Sequence, residues 1–465
     1  MNKFRVGICV RDQDYADTIS EIFDYVLLEH NDLEITLLSE KRIKTKHNNI
    51  AMLSTETKTY QNVNPIDFDN LDEEIWKVKN VYQADPRFVF SYKEKKLMPQ
   101  IQSQLIESSR KIFEEERFDV LFSGGAAHLI WIVPHMVAME KGMIAYKFNM
   151  YDYINPEFFG FRLWFCTDPF WDLDKNNNSL LDFPWDSDEI SEHINEFRNS
   201  IISRKSRLDA TAISLRGEFT TSGVYGVTKN LLKIIIGRDD LGKRRIKSLL
   251  ESRKNKKLYS EIKDISGDFF VFPLNQPYDE QLLLRSPEYK NNLNNIELIA
   301  KNLPDNVSLV VKEHPVNPGM LESAMIKELI SRYPSVKFVS PDLPLPDFLH
   351  KSSGLITINS TAGLEAIIFG KPVLALGRGY YSKKNVVFKP RTEGEIKTKL
   401  LEMMNNPNIK KSSEQMNKVL FKMLKQTYPG PNIFPPKDTI GGDTKKYMAE
   451  GIIAKIDLIK RNRIK

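Results

Sequence analysis

The sequence predicts an α/β protein of two Rossmann-like domains that face each other across a cleft. At 465 residues the chain is long for a single hydrophobic core, which favours two domains. Strand-like apolar runs alternate with helical patterns in both halves, and this alternation is typical of parallel sheets covered by helices. Small or hydroxylated residues follow several of these runs, at the strand ends where such folds bind ligands.

The first predicted domain spans residues 1–188. Its opening run, 4–10, is almost continuously apolar, as expected for a buried strand. A glycine turn at 123–125 separates a later strand from an apolar helix that ends near residue 140. In order, we predict strands at 4–10, 33–38, 118–122 and 142–149, and helices at 15–28, 100–116 and between 126 and 140.

The second half repeats this alternation after a charged, mostly helical connection at 189–264. The second domain is predicted over 265–442, and a C-terminal helix that can cross back to the first domain over 443–465. We predict strands at 269–273, 307–312, 336–339, 354–358 and 372–376, and helices within 279–301, at 321–333 and from 363 to 369.

Composition and missing motifs exclude several classes of protein. The two cysteines, Cys9 and Cys166, cannot supply a disulfide framework or a thiolate zinc site. The first residues lack a signal-peptide pattern, and no run approaches the roughly 20 apolar residues of a membrane span. P-loop, His-Glu-x-x-His, Gly-x-Ser-x-Gly and Cys-x-x-Cys motifs do not occur. We therefore expect a cytoplasmic protein.

Basic residues are unevenly distributed in a chain whose net charge is +6. Nine lie within 238–257, and four more lie within 460–465. Solvated helix faces explain such runs. The alternative is attraction to an anionic surface, either a polyanionic glycan or the inner face of the cell membrane, where the protein would be peripheral. Nucleic acid is not expected, because no aromatic residues interleave with the basic ones.

The segment 356–366 joins a buried strand to a helix through small hydroxylated residues. Backbone N–H groups at such a helix start can bind phosphate, and Asn359, Ser360 and Thr361 can add side-chain contacts. Glu365, one helical turn further, can accept hydrogen bonds from a ribose hydroxyl. The alternative is that Ser360 or Thr361 only caps the helix.

A second candidate is Lys312 with His314, at the end of another predicted strand of the same domain. Pro315 stops the strand, so His314 should project at the carboxyl edge of the sheet. There its imidazole can donate to a phosphate oxygen or protonate a leaving nucleotide. The alternative is a structural histidine. We expect His314, Ser360 and Thr361 to meet at neighbouring strand ends.

Weaker candidates lie in three other loops. Gln276 and Asp279 can hydrogen-bond a base or an acceptor, although a proline-bounded turn explains them equally well. Gly124 and Gly125 allow backbone approach to an acceptor or sugar, or simply tight packing, and they lack the full dinucleotide fingerprint. An aspartate in the aromatic middle segment can act as base or nucleophile. The candidates are Asp152, Asp168, Asp172 and Asp174, of which we select Asp152 and Asp168.

The second-domain motifs resemble those of the capsule polysaccharide biosynthesis family, which includes Kdo transferases that use CMP-activated sugar. The resemblance runs from about 269 to 381 through Phe-Pro-Leu-Asn-Gln at 272–276, Lys-Glu-His-Pro at 312–315, Asn-Ser-Thr-Ala-Gly-Leu-Glu-Ala at 359–366, Gly-Lys-Pro-Val-Leu at 370–374 and Tyr-Tyr at 380–381. It implies the GT-B arrangement of two domains. His314, Ser360 and Thr361 would contact the phosphate of a CMP-sugar, and Glu365 would lie near the ribose. The His-Pro pair and the Ser/Thr loop also resemble those of bacterial CMP-sialic acid transferases, which hold the CMP phosphate with them. The chain departs from those enzymes in lacking their acidic Asp/Glu-Asp-Gly motif, so the catalytic carboxylate is not transferable.

The resemblance implies a glycosyltransferase that moves a CMP-activated ulosonic acid such as Kdo onto a surface or capsular polysaccharide or its lipid-linked acceptor. Because the leaving group carries a single phosphate, we expect neither a metal nor another cofactor. Two alternatives remain. One is a UDP- or GDP-sugar transferase or nucleotide-sugar epimerase of the same fold, and the other is a non-catalytic adaptor in capsule export or assembly.

Overall fold

The computed structural model describes residues 3–45, 49–53, 81–85, 96–124, 128–151, 162–166, 195, 199, 240–276, 279, 281–315, 317–379, 381, 387–405, 428–429 and 442–464. The chain forms two compact units, Met1–His193 with Lys422–Lys465, and Ile194–Phe421. The predicted boundaries differ from these units in two places. The connection predicted at 189–264 is not separate, because it falls almost entirely within the second unit, and the chain returns to the first unit at residue 422.

The first unit is built on a seven-stranded sheet. Its labelled strands are β1 (Phe4–Val10), β2 (Leu33–Ser39), β3 (Asn49–Met52), β4 (Val120–Ser123), β5 (Ala145–Tyr151) and β6 (Arg162–Cys166). The spatial order is β3-β2-β1-β4-β5-β6, followed by the short strand Tyr428–Pro429. The first five strands pair in parallel, whereas β6 and the last strand pair antiparallel at the edge.

The described residues of the first unit form four α-helices. They are α1 (Gln13–Glu29), α2 (Met98–Glu116), α3 (Leu129–Glu140) and a C-terminal helix (Gly442–Ile464). The C-terminal helix returns from the second unit and packs against α1. Lys460 forms an ion pair with Asp32 at 2.7 Å, and Arg463 pairs with Asp119 beside β4. The crossing back that the sequence predicts is therefore observed.

The second unit is built on a six-stranded sheet in which every pair is parallel. Its strands are β7 (Phe269–Pro273), β8 (Ser308–Lys312), β9 (Val336–Val339), β10 (Gly354–Thr357), β11 (Val373–Ala375) and β12 (Val387–Phe388), in the order β9-β8-β7-β10-β11-β12. Its helices are α4 (Asp240–Asn255), α5 (Asn292–Lys301), α6 (Ser323–Arg332), α7 (Leu345–Leu349), α8 (Ala362–Ile368) and α9 (Glu395–Asn405).

The alternation of side chains along β7 explains why its sequence is apolar throughout. Phe270 and Phe272 enter one hydrophobic cluster, while Phe269 and Val271 enter another on the opposite face. A strand that is buried on both faces has no polar side to alternate with. The same run, Phe-Phe-Val-Phe-Pro, was the main reason to predict a strand here, and the α/β class is confirmed in both units.

The strands that the sequence did not predict lie at the sheet edges or next to one. β3, β12 and Tyr428–Pro429 are edge strands, and β6 lies between β5 and Tyr428–Pro429. Each has five residues or fewer, which is too short for an apolar period to stand out in the sequence. In the described part of the chain, no helix is both long and apolar enough to cross a membrane.

Candidate functional site

The carboxyl edge of the second sheet contains most of the predicted site residues. The strand order reverses there, since β8 and β10 lie on opposite sides of β7 although the chain visits them in turn. Val271 pairs with both Val310 and Leu355, so the three strands run in register and their following loops emerge at one edge. Open α/β sheets bind ligands outside such a reversal point.

A buried amide network joins the loops at this reversal point. Asn275, which follows β7, donates to Asn359 Oδ1 at 3.3 Å, and Asn359 donates to Ser286 Oγ at 3.1 Å. Ser286 Oγ also accepts from the Arg378 backbone N–H at 2.8 Å. Asn359 is 0% exposed. Its side chain therefore supports the loop from inside, and the predicted direct contact with nucleotide does not fit this placement.

The loop after β10 presents Ser360 and Thr361. Thr357 Oγ1 accepts from the Ser360 N–H at 3.0 Å and lies 3.0 Å from Ser360 Oγ, which fixes the loop immediately after the strand. Thr361 precedes α8 with helical backbone angles, and its hydroxyl makes no capping bond among the described residues. Both side chains are partly exposed. The Thr361 hydroxyl therefore does not cap α8, in contrast to the alternative interpretation.

A tyrosine holds this loop against the helix. Tyr381 is fully buried, and its hydroxyl donates to the Ser360 carbonyl oxygen. A Cβ added to Gly363 would lie 2.4 Å from that hydroxyl oxygen, so glycine is required at the first turn of α8. The sequence singled out both residues only through the family resemblance, and the structure gives the physical reason.

The loop after β8 is organised by a buried carboxylate that the sequence reasoning missed. Glu313 is 0% exposed. Its Oε2 atom accepts from the Tyr259 hydroxyl at 2.7 Å and the Gly319 N–H at 3.2 Å, and Oε1 accepts from the Leu321 N–H at 3.0 Å. Burial, and then this carboxylate, raise the pKa of Tyr259, which keeps the phenol protonated as a donor. The acidic residue beside His314 was the available signal.

His314 lies on this loop and is partly exposed. Its carbonyl oxygen accepts from the Asn317 N–H at 3.0 Å, which closes a turn immediately after the strand. Burial, with a smaller contribution from the charge of Lys312, lowers the pKa of His314 to about 4. The imidazole is therefore neutral at pH 7 and offers one N–H donor together with one acceptor nitrogen.

Lys312 lies behind His314 at the end of β8. It is 6% exposed, and its Nζ donates to the Pro341 carbonyl oxygen at 2.7 Å. Burial lowers its pKa to about 8, against the opposing charges of Asp342 and Glu365. Lys312 is thus mostly cationic at pH 7. Because its side chain is almost completely buried, it can act on a ligand mainly through its charge.

The remaining second-unit candidates connect neighbouring loops. Gln276 Oε1 accepts from Asn317 Nδ2 at 3.2 Å, which joins the loops after β7 and β8. The backbone of Asp279 closes the predicted turn, with its N–H 3.1 Å from the Gln276 carbonyl oxygen. Glu365, on α8, lies close enough to Lys312 to oppose the lowering of its pKa. The end of β8 and the start of α8 are therefore electrostatically coupled.

The strand ends that lead to His314 and Ser360 are not immediate neighbours, which corrects the predicted arrangement. The intervening strand β7 separates β8 from β10 by two strand spacings, about 10 Å. The space between His314 and Ser360 is therefore bordered by the loop after β7, with Asn275 and Gln276. A phosphate bound by both groups would have to lie over the end of β7.

The first-unit candidates receive a different explanation. A Cβ on Gly124 would lie 2.3 Å from the Trp131 ring, so this glycine permits tight packing of α3, as in the alternative interpretation. His135 is buried against Ser123, with Nδ1 3.0 Å from the hydroxyl oxygen. Gly125, Asp152 and Asp168 lie outside the described residues. Within the described residues, no group of three His, Cys, Asp or Glu side chains could hold a metal ion.

Comparison with known proteins identifies the segment that holds this site. Residues 227–392 match the family described as capsule polysaccharide biosynthesis protein. The capsule polysaccharide modification protein LipB of Neisseria meningitidis is 34% identical over 122 residues, which are 25% of this chain and 29% of LipB. The capsule polysaccharide export protein KpsS of Escherichia coli is 34% identical over 94 residues, 19% of this chain and 24% of KpsS. The chain thus aligns with less than a third of either relative.

Solved structures of low similarity include two carbohydrate enzymes. The β-Kdo 2,7 transferase KpsC of Thermosulfurimonas dismutans has a TM-score of 0.31 at 12% identity, over 63% of this chain and 80% of KpsC. The UDP-GlcNAc 2-epimerase of Neisseria meningitidis, bound to UDP-GlcNAc, has a TM-score of 0.27 at 12% identity, over 97% and 99% of the two chains. Likenesses this weak do not bear on activity. The segment 227–392, which contains β7 to β12 and the loops of the site, therefore matches the capsule polysaccharide biosynthesis family that its motifs resemble.

Proposed function

We propose that the chain is a glycosyltransferase that takes its sugar from a CMP-activated ulosonic acid such as Kdo. The acceptor would be a surface or capsular polysaccharide, or the lipid-linked precursor of one. The observation that carries this proposal is the placement of His314, Ser360 and Thr361 on loops at one carboxyl edge, beside the reversal of strand order. This edge lies within the segment that matches the capsule polysaccharide biosynthesis family.

The chemistry of this edge suits a phosphate monoester better than a diphosphate. Neutral His314 supplies one N–H donor, and Ser360 and Thr361 supply hydroxyls. Lys312 contributes one buried positive charge from behind the loop. A departing CMP carries a single phosphate, so one cation and several neutral donors balance much of the developing charge. Neither a metal nor another cofactor is part of this proposal.

Because the pKa of His314 is lowered in the free protein, the proposal predicts that the affinity for CMP depends on pH. A bound phosphate anion favours the imidazolium form and raises the pKa of His314 from about 4. At pH values between about 4 and this raised pKa, His314 takes up a proton when CMP binds and can donate it to the leaving phosphate; above that window it acts as a neutral N–H donor. The affinity for CMP should therefore fall as pH rises through that window, and it should fall further above pH 8, where Lys312 loses its charge.

The acceptor side and the base remain predictions. Asp152 and Asp168 are still the candidates for the base or nucleophile, although the structure does not describe them. Gln276 and Asp279 border the loop after β7, where they could contact the base or the sugar. Glu365 remains the candidate for a ribose hydroxyl, because it lies at the same edge as Lys312.

The identity of the nucleotide in the sugar donor can be tested by measuring which free nucleotide protects the protein against thermal unfolding. CMP and CTP should raise the unfolding temperature, while UDP, GDP and ADP at the same concentration should not. His314→Ala, and Ser360→Ala combined with Thr361→Ala, should abolish both the CMP shift and transfer while the protein stays folded. Matched controls are His350→Ala and Ser353→Ala, because both residues lie in the same unit away from the loops of the site. Full turnover by a folded His314 variant would remove the site assignment.

The same panel separates the alternatives. Protection by UDP or GDP instead of CMP would favour a UDP- or GDP-sugar transferase or epimerase. CMP binding without release of CMP from any CMP-sugar, with or without acceptor, would favour a non-catalytic adaptor. The relatives leave this question open, since their names refer to modification in one case and export in the other.

A further inference from the structure

Helix α4 has one face fixed to the loop that carries His314. A Cβ on Gly319, whose φ is +77°, would lie 2.2 Å from the Ser248 carbonyl oxygen and 2.5 Å from Ser252 N, so loop and helix backbones touch. On the same face, Asn255 Nδ2 donates to the Leu321 carbonyl oxygen at 3.0 Å. Because the inner face is fixed by these contacts, the orientation of the outer face is determined as well.

The outer face of α4 combines exposed leucines with cations. Leu249 is 62% exposed and Leu250 is 51% exposed, and Arg253 follows within one turn. Lys256 and Lys257 continue the surface just past the end of the helix, and both are exposed. Within the described residues, Arg253, Lys256 and Lys257 form no ion pair. We call these five residues the α4 surface.

The nearby cations on the flanks of α4 behave differently, which makes the α4 surface distinct. Lys247 pairs with Glu322, and Lys254 pairs with Glu251 at 2.7 Å. These carboxylates balance the flanks and leave the positive charge on the outer face. An apolar pair bordered by uncompensated cations is the pattern of a helix that lies in the interface of an anionic membrane.

We propose that the α4 surface docks the second unit on an anionic lipid surface. A soluble polyanionic glycan would satisfy the three cations, but it would leave both leucines in water. An anionic lipid surface accommodates the leucines and the cations together, because the leucines enter the acyl boundary and the cations bind the headgroup phosphates. The two exposed leucines therefore decide between these partners.

This docking would hold the His314 loop close to the membrane. The loop contacts the inner face of α4 through Gly319, and an α-helix with its side chains is about 10 Å thick. A lipid-linked acceptor in the same membrane would then lie within reach of the proposed donor site. The inference itself rests only on the α4 surface and stands independently of the proposed activity.

Vesicle partitioning of the full chain tests the inference. The protein should sediment with phosphatidylcholine vesicles that contain phosphatidylglycerol, remain in solution with phosphatidylcholine alone, and dissociate as salt is raised. Replacing the three cations by glutamine should weaken partitioning about a hundredfold, at about fivefold per charge. Replacing the two leucines by serine should weaken it about tenfold or more. The variants are Arg253→Gln with Lys256→Gln and Lys257→Gln, and Leu249→Ser with Leu250→Ser.

Two controls carry the same kinds of change at exposed positions elsewhere in the second unit, three lysines in one and a single leucine in the other. One control combines Lys290→Gln, Lys327→Gln and Lys351→Gln, and the other is Leu401→Ser. Neither should alter partitioning to vesicles. Equal binding to both kinds of vesicle, or loss of binding in the controls, would overturn the proposal. So would binding to dextran sulfate that needs only the cations, without partitioning to vesicles. Protection by CMP should persist in every variant, so failure of docking and failure of the donor site give different results.

Discussion

Glu313→Gln tests whether a buried carboxylate positions the His314 loop. The substitution keeps the size of the side chain and replaces one acceptor oxygen by an NH2 group. In the orientation that loses least, the amide oxygen takes the place of Oε2 and still accepts from the Tyr259 hydroxyl and the Gly319 N–H. The NH2 group then faces the Leu321 N–H, which loses its acceptor.

The magnitude follows from these three bonds. Hydrogen bonds to a charged group contribute about 1.5–3 kcal/mol each, and a buried donor left unpaired costs about 1–3 kcal/mol. One bond is lost, two donors now face a neutral oxygen, and Glu313 has no solvent exposure through which water could compensate. We expect the loop to lose about 3 kcal/mol, which is about a hundredfold in a local opening constant.

Native-state hydrogen exchange is the suitable assay, because it reads individually the Gly319 and Leu321 amides that donate to Glu313. The Leu321 amide should exchange about a hundredfold faster, and the Gly319 amide should change less. The CMP-induced thermal shift should weaken as the loop loosens.

Glu322→Gln is the matched control for this substitution. Glu322 adjoins the same loop, and its carboxylate is 44% exposed in an ion pair with Lys247. Exposed pairs of this kind contribute at most about 1 kcal/mol, so exchange should hardly change. If Glu313→Gln left the Leu321 amide as protected as in the parent, the positioning role would be refuted.

Three further substitutions should change the stability of the protein by amounts that follow from the structure. Gly124→Ala should lower the stability of the first unit by about 1–3 kcal/mol through overlap with Trp131, read by tryptophan fluorescence; unchanged stability would contradict tight packing there. Lys312→Met should raise the stability of the second unit at pH 7 by about 2 kcal/mol. Burial lowers the pKa of Lys312 to about 8, which means that keeping the amine charged costs about 3 kcal/mol, and the bond from Nζ to the Pro341 carbonyl oxygen offsets about 1 kcal/mol of that cost. Because the pKa of Lys312 is lower in the folded than in the unfolded state, this gain in stability is fully present below pH 8 and should vanish towards pH 10. A Lys312→Met variant less stable than the parent at both pH 7 and pH 10 would refute the prediction. Tyr381→Phe should cost about 1 kcal/mol by removing the bond to the Ser360 carbonyl, and calorimetry showing no change would exclude that bond as a support.

Much of the candidate site could be predicted from strand ends alone. Lys312 and Thr357 are the last residues of β8 and β10, as the apolar runs indicated to within a residue. His314 and Ser360 therefore lie at the predicted edge. This worked because a strand buried on both faces leaves an unbroken apolar run, and the first polar residues after it mark its end.

Side-chain roles at that edge could not be predicted in the same way. Asn359 resembles a ligand residue in sequence, yet it lies in a network with Asn275 and Ser286. Glu313 was overlooked, although it holds the loop of His314 through three donors. Whether a polar group faces a ligand or an interior partner depends on residues far away in the chain, and local spacing contains no record of them.

The sequence by itself determined the α/β class, the position of most strands and the family resemblance of the segment 227–392, because burial on two faces and short motifs are local properties. Only the tertiary structure decided the strand order that inserts β7 between β8 and β10. It also decided the glycine contacts at Trp131 and Tyr381, and the packing of the returning C-terminal helix against α1 in particular. These features arise from packing between segments distant in the chain, whose energies depend on shape complementarity that no local pattern encodes.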